Sequence, residues 1–450
     1  MLTFIKGLIK AMLPLGMYLG ALAVCVRSAM GKPHYAVFLL AILTPLPNMW
    51  YAIHQFPFGK DVIDLLVLSG FIGVFVGKHN LAPSRAGWFL FAYLFYVYLE
   101  VCNSTFRYDL PLPLTPANGV FVYFKNYAEM GLLYMVAYHA TNDEKHRRTL
   151  IWICMAVFFL IVLREARNFS ESTSFNYDKR AAGPFWAAGL GANHFAAFVV
   201  HFAAVALGLS FFVENRWGRW FLWLTSIIAV QPLFFAYSRG AYLAALLVLF
   251  VYGLLKKRAL LVLLLVVGIS WQALLPHTVV ERITMTENSQ GELESSAADR
   301  VVLWDEAVAL FKSSPVIGVG LSGFGLSHAG GKYTSVHNLY LETLAEQGVI
   351  GLLFLVAVML RALFSGFRLF LKGGTPFDRG LGLGFTGCVL AAMATNLFGD
   401  RWSYFEIGAY FWLIWAVVDR SYTAAVAAAA EKRLSPKTQP VAEPAATAST

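Results

Sequence analysis

The chain has 450 residues, 58% of them hydrophobic and only 14% charged, with a formal net charge of +9. A soluble globular domain is about a quarter charged, so this composition excludes an ordinary water-soluble enzyme and points to an all-α polytopic membrane protein. Four cysteines (Cys25, Cys102, Cys154 and Cys388) lie in or beside apolar runs without a CxxC pair, which argues against a disulfide framework or a thiolate metal site.

Thirteen apolar runs follow in chain order, near residues 8–28, 35–52, 62–77, 86–103, 118–140, 149–164, 190–213, 219–237, 240–255, 259–275, 338–360, 380–398 and 403–418. A run of about 20 apolar residues spans a bilayer core. The first ends in CVRSAMGK, without an A-x-A site, so no cleavable signal peptide is expected. The second is the weakest, because Pro45 and Pro47 remove backbone donors and kink a helix. About 12 transmembrane helices plus one broken or re-entrant element are therefore expected.

Orientation follows from the basic loops NDEKHRR (142–148), ENRWGR (214–219), KKR (256–258) and the cations at 361–379, which alternate correctly if all face the cytoplasm. That places 165–183, the turn at 238–240 and the large loop 276–336 on the other, extracytoplasmic side. The expected organisation is an N-terminal transmembrane bundle over 1–275, a loop domain over 276–336, C-terminal transmembrane helices over 337–420 and a disordered cytoplasmic tail over 421–450.

Within the large loop, residues 295–314 predict an amphipathic helix with an apolar stripe of Val301, Leu303, Trp304, Ala307, Leu310 and Phe311. Pro315 stops it. GVGLSGFG (318–325) then offers four glycines in eight residues, either an anion-binding nest of backbone N–H groups or a plain connector.

Ionisable residues collect at the outer ends of the spans: Arg180 before the run with Asn193 and His194, Arg239 in a short turn with no acid of its own, and Arg300 at the head of the loop helix. Asp400 and Arg401 stand together between the last two runs, where an internal ion pair is the simpler reading. His337 and Asn338 open the run HNLYLETLAEQGVIG, with Glu342 and Glu346 spaced along one helix face. A neutral imidazole is the natural general base near pH 7. There is no P-loop, no HExxH, no GxSxG and no DxD, so ATPase, zinc-protease and serine-hydrolase chemistry and the metal pair of many nucleotide-sugar transferases are not expected. No metal site and no cofactor are expected.

HNLYLETLAEQGVIG (337–351) resembles the signature of the O-antigen ligase and O-antigen polymerase superfamily. GPFWAAGLGANHFAAF (183–198), YSRGAYLA (237–244) and RVVLWDEAVALFKSSPVIGVGLSGFG (300–325) resemble its other segments in the same order. The resemblance implies a GT-C-type, metal-independent, inverting glycosyltransferase in the bacterial inner membrane, with its active site facing the periplasm. It implies a glycan on undecaprenyl pyrophosphate as donor. In the ligase branch, favoured here, the acceptor is a terminal sugar of the lipid A–core oligosaccharide, and the product belongs to lipopolysaccharide synthesis. His337, Arg239 and Arg300 are the expected catalytic residues, and Arg180, Asn193 and Asn338 the expected substrate-binding ones. Membrane lipids are expected partners and nucleic acid is not. The rival readings are an O-antigen polymerase, a protein O-oligosaccharyltransferase and, from another class, a lipid or solute transporter with two related halves.

Overall fold

The computed structural model describes residues 2–77, 84–169, 174–176, 178–285, 295–331 and 333–434, and among these every regular element is helical. Among the described residues, seven helices are long and apolar enough to cross a membrane: Met12–Ala29, Ala86–Arg107, Glu144–Asn168, Ala192–Ser210, Leu339–Lys372, Pro376–Phe398 and Phe405–Glu431. Two bent pairs raise the number to nine if each pair is one span. Over the described residues the fold is thus all-helical, that of a multi-pass membrane protein.

The difference from twelve has local causes. Val62–Val76 and Arg239–Leu255 have 15 and 17 residues, short of the about 20 a single span needs. The run 219–237 is divided at Ala229 into Arg216–Ile228 and Val230–Phe235. Gly119–Ala140 carries Lys125 and Glu129, and Lys125 is bonded to both Asp64 and Glu129, so neither of these charges stands alone.

The run 35–52 breaks where its prolines predict: His34–Leu43 and Pro47–Ile53 meet at 105°. A second break, at 103°, separates Ala259–Leu274 from His277–Thr284, with Pro276 at the N-cap of the second helix. Beyond residue 420 the last helix continues to Leu434, because SYTAAVAAAA is rich in the best helix former. Residues 435–450, read from sequence as the end of a disordered tail, lie outside the described residues.

Pro376–Thr395 forms the middle of the C-terminal half. Its small residues let neighbours close on it: a Cβ on Gly208 would sit 2.4 Å from the backbone of Gly384, and one on Gly382 would sit 2.2 Å from the nitrogen of Phe370. Ala192–Ser210 packs on one side and Leu339–Lys372 on the other. These packed helices set the site. Ala192–Ser210, Arg239–Leu255 and Leu339–Lys372 begin at one end of the bundle, and Pro376–Thr395 finishes there, because Asn193, Arg239, His337 and Thr395 line adjoining cavities. The basic segments 214–219, 256–258 and 361–379 follow or close the far ends of the same helices.

The loop helix is present, Ser295–Ser313, and stops before Pro315. Leu303 and Ala307 are buried with Phe324, Val336 and Ala345, while Trp304 and Leu310 pack against them. Val301, expected in the stripe, is 45% exposed. This small second core docks the loop helix on the start of the helix Leu339–Lys372 and carries Arg300 towards His337.

That long helix is itself broken. Gly348 has φ +64° and ψ −167°, and a Cβ there would lie 2.2 Å from the Val316 carbonyl oxygen. A break inside a helix orphans backbone groups that need partners elsewhere. The glycine-rich segment satisfies them. The carbonyls of Ala345, Glu346 and Gln347 accept from Val319 N–H (3.0 Å), Gly320 N–H (2.7 Å) and the Tyr96 hydroxyl (2.7 Å). Val349 and Ile350 donate back to Pro315 and Val316 at 3.0 and 3.4 Å. The Glu346 carboxylate, 4% exposed as a residue, accepts from Ser322 N–H at 2.9 Å and Phe324 N–H at 3.1 Å. The amides of GVGLSGFG are thus engaged inside the fold: they hold the broken helix and the Glu346 carboxylate.

An arginine-ringed candidate active site

Arg180 enters the site on a fixed stem. Its Nε and one terminal nitrogen donate to the Ala236 carbonyl at 2.9 and 2.6 Å, and that terminal nitrogen also reaches Asn193 Oδ1 at 2.7 Å. Asn193, second residue of its helix, thus orients the guanidinium. Burial and the neighbouring Arg282 lower the Arg180 pKa to about 10, which leaves it fully charged at neutral pH.

Arg239 is the first residue of its helix. Tyr237 before it takes φ +50°, and the Tyr237 hydroxyl donates to Thr278 at 2.9 Å, pinning the turn to the segment after the second break. Arg239 donates to the Met285 carbonyl at 3.1 Å. Arg282 comes from the same segment and lies over the Phe175 ring at 5.1 Å.

Arg401 does not pair with the carboxylate of Asp400. That carboxylate accepts from Trp402 and Ser403 N–H at 2.8 and 3.1 Å and so shapes the turn. The guanidinium instead donates to the Asp400 carbonyl at 2.6 Å and to His194 Nε2 at 3.0 Å, which requires a neutral imidazole at His194. Arg401 is 8% exposed, and burial lowers its pKa to about 10. Gly399 has φ +153°, and a Cβ on it would stand 2.6 Å from an Arg401 terminal nitrogen. Gly399→Ala is therefore expected to push Arg401 aside and to reduce turnover as far as Arg401→Ala does, a comparison that a transfer assay on the two variants makes directly.

Two adjoining chambers result. One, of about 340 Å³, is lined by Arg180, Arg239, Arg282, Arg300 and Arg401 with Asn193, Ser238 and Thr395 among others. No carboxylate lines it among the described residues. The other, of about 260 Å³, is lined by His337, His194, Asp299 and Tyr333 and shares Arg180, Asn193, Arg300, Phe398 and Arg401 with the first. Tyr333 donates to Asp299 at 2.6 Å. Three helices, starting at Ala192, Arg239 and Leu339, bring their N-termini to these chambers and add positive potential to that of the arginines. The arrangement suits a multiply charged phosphate beside a neutral polar group.

His337 sits at φ +56° and is half-buried. Its ring is 6.0 Å from that of Tyr333, and its ring nitrogens bond to no other described residue. Burial, then Arg300 and Arg401, lower its pKa below the usual 6.5 and keep the imidazole neutral at neutral pH. A neutral, unengaged imidazole facing a cavity can take a proton.

The structure brings together His337, Arg239, Arg300, Arg180 and Asn193 of the residues expected from sequence. Asn338 lies apart. It is 8% exposed, and its Oδ1 accepts from Tyr340 and Leu341 N–H at 3.0 and 3.2 Å, capping the helix. Its side chain lines neither chamber. Sequence reasoning missed Arg282, Asp299 and Tyr333 and gave Arg401 to Asp400. One signal was available: arginines on the face opposite the basic loops run against the usual charge bias, and all five chamber arginines do so.

Among the described residues, no group of three or more His, Cys, Asp or Glu is placed to hold a metal ion. A comparison with curated proteins finds no match. The model of the O-antigen ligase family matches residues 224–356. That stretch contains Arg239, Arg282, Arg300 and His337, while Arg180, Asn193 and Arg401 complete the same chambers from outside it. Residues 224–356 are thus similar to the O-antigen ligase domain, and the two chambers are assembled around that stretch.

Proposed function

We propose that this protein is an O-antigen ligase that moves a glycan from undecaprenyl pyrophosphate to a terminal sugar of the lipid A–core oligosaccharide, at the periplasmic face of the bacterial inner membrane. The single observation that carries the reading is the adjacency of the two chambers: a ring of guanidinium groups shares a wall with a neutral histidine. The periplasmic placement follows from the basic loops at the opposite ends of the helices.

In this reading the donor pyrophosphate lies among Arg180, Arg239, Arg282, Arg300 and Arg401, whose planar forks suit phosphate oxygens. An apolar groove of about 580 Å³, walled by Ile42, Leu46, Leu160 and Trp186 and also reaching Arg180, suits a lipid tail entering from the membrane. His337 removes the proton from the acceptor hydroxyl as that oxygen attacks the anomeric carbon. The carbon–oxygen bond to pyrophosphate breaks on the opposite face, which inverts the anomeric centre. The extra negative charge on the leaving undecaprenyl pyrophosphate is held by the arginines, a preorganised stabilisation that is commonly the largest catalytic contribution. The chemistry so written needs no metal, and transfer is expected to survive chelation by EDTA.

Purified protein given the lipid-linked glycan together with lipid A–core, with a second lipid-linked repeat, or with a Ser/Thr-containing protein tests the assignment. Product only with lipid A–core supports the ligase. Chain extension without it makes the protein a polymerase, glycosylated protein makes it a protein oligosaccharyltransferase, and no transfer with any acceptor removes the transferase reading.

A further inference from the structure

Glu342 lies one turn into the helix that follows His337, and its carboxylate lines neither chamber. One of its oxygens, Oε2, accepts both the Ser335 hydroxyl at 2.7 Å and the Val336 N–H at 2.9 Å. The Ser335 oxygen in turn accepts the N–H of His337 at 3.2 Å. Carboxylate, hydroxyl and histidine backbone thus form a closed relay around a tight bend. Val336, inside the bend, is fully buried in the small core beneath the loop helix. His337 leaves the bend at φ +56°, a left-handed conformation that a residue with a Cβ keeps only where its surroundings impose it. Asn338 then caps the helix on the far side.

The geometry points to Glu342 as a positioning residue for His337: through Ser335 and Val336 it sets the backbone twist that aims the imidazole into the chamber. The inference rests on the base role proposed above. It also accounts for why one carboxylate oxygen takes both hydrogen bonds. Glu346, one turn on, does the corresponding task for the glycine-rich segment through Ser322 and Phe324. The two acids staple the two chain segments that converge on the start of one helix.

Relaying through a single acceptor oxygen makes a sharp expectation. Glu342→Gln keeps a carbonyl oxygen able to accept both bonds and retains most of the turnover. Glu342→Ala and Ser335→Ala lose the relay and lower turnover at saturation by about 10- to 100-fold, the scale of an ångström-sized misplacement. The KM for each substrate stays close to wild type, because the chamber walls are untouched. The double Ala variant is no slower than the slower single one, since both cut the same relay. All rates are taken per amount of monodisperse protein extracted from the membrane. Wild-type turnover in Glu342→Ala overturns the proposal. So does a Gln variant as slow as the Ala variant, which makes the charge rather than the geometry the active property. A loss confined to acceptor KM makes Glu342 a binding residue and also overturns it. His337→Ala in the same assay separates the two levels: normal transfer there removes the base reading, whereas loss there with an unaffected Glu342→Ala removes only the positioning.

Discussion

Replacing His337 by alanine is expected to lower glycan transfer by about 10²- to 10⁴-fold, the usual contribution of a positioned base, without preventing membrane insertion or donor binding. The measurement is turnover with saturating donor and acceptor, alongside donor binding by the same preparation. Near-normal transfer excludes the base role. The pH profile gives an independent signature. The active form is the neutral imidazole, so the rate is flat at neutral pH and falls as protons are added. Burial, then the charges of Arg300 and Arg401, hold the His337 pKa below 6.5, so the acid limb has its midpoint below that value. Arg300→Gln removes one of these charges. Its midpoint moves upward, towards 6.5, even though the rate also drops from the loss of a chamber arginine. A midpoint that stays put, or moves down, means that another group titrates.

Much of the fold is legible in the sequence wherever one physical requirement dominates. Pro45 and Pro47 cannot donate to a helix ladder, and the chain bends there by 105°. Leu303, Ala307 and Leu310 repeat at helical spacing, and they face the small core that the loop helix covers. The number of spans is less legible, because hydropathy cannot see a helix interrupted at Ala229 or one of 15 residues that stops early. The break at Gly348 is hidden for a similar reason: the run reads as one continuous helix, and only the partnering of Ala345, Glu346 and Gln347 with distant segments makes the conformation tolerable.

The site follows the same division. His337, Arg239, Arg300, Arg180 and Asn193 stood out because polar groups at the mouths of apolar runs need a reason. Arg401 did not, since Asp400 offered a partner one residue away. Adjacent residues seldom point at each other, and here the Asp400 carboxylate turns back to the amides of Trp402 and Ser403. Arg282 sits in a short helix after a bend that only the folded chain reveals. Asn338 was read as touching substrate, yet a short polar side chain with free amides two and three residues ahead is first of all a helix cap. Glu342 and Glu346 had only their spacing to speak for them, and their partners lie outside that helix on the loop.

Arg239 carries the other large expectation, because it stands where a helix begins and on the wall away from His337. Arg239→Ala is expected to lower turnover by about 10²- to 10³-fold, the scale of losing one preorganised contact to developing charge. Arg239→Lys keeps the charge but not the planar fork and should fall between the two. Inorganic pyrophosphate provides a readout free of sugar chemistry. A ligand that binds only the folded protein stabilises it by about 2.7 kcal/mol at one hundred times its Kd, so pyrophosphate raises the thermal midpoint of the wild type. That rise should shrink with added salt, as screening weakens a mainly ionic contact. It should be lost in Arg239→Ala, be reduced in Arg239→Lys and persist in His337→Ala, whose defect lies in the proton and not in the anion. If Arg239→Ala responds to pyrophosphate as the wild type does, Arg239 is no phosphate clamp. If His337→Ala loses the response as well, the two chambers do not divide the work between leaving group and acceptor.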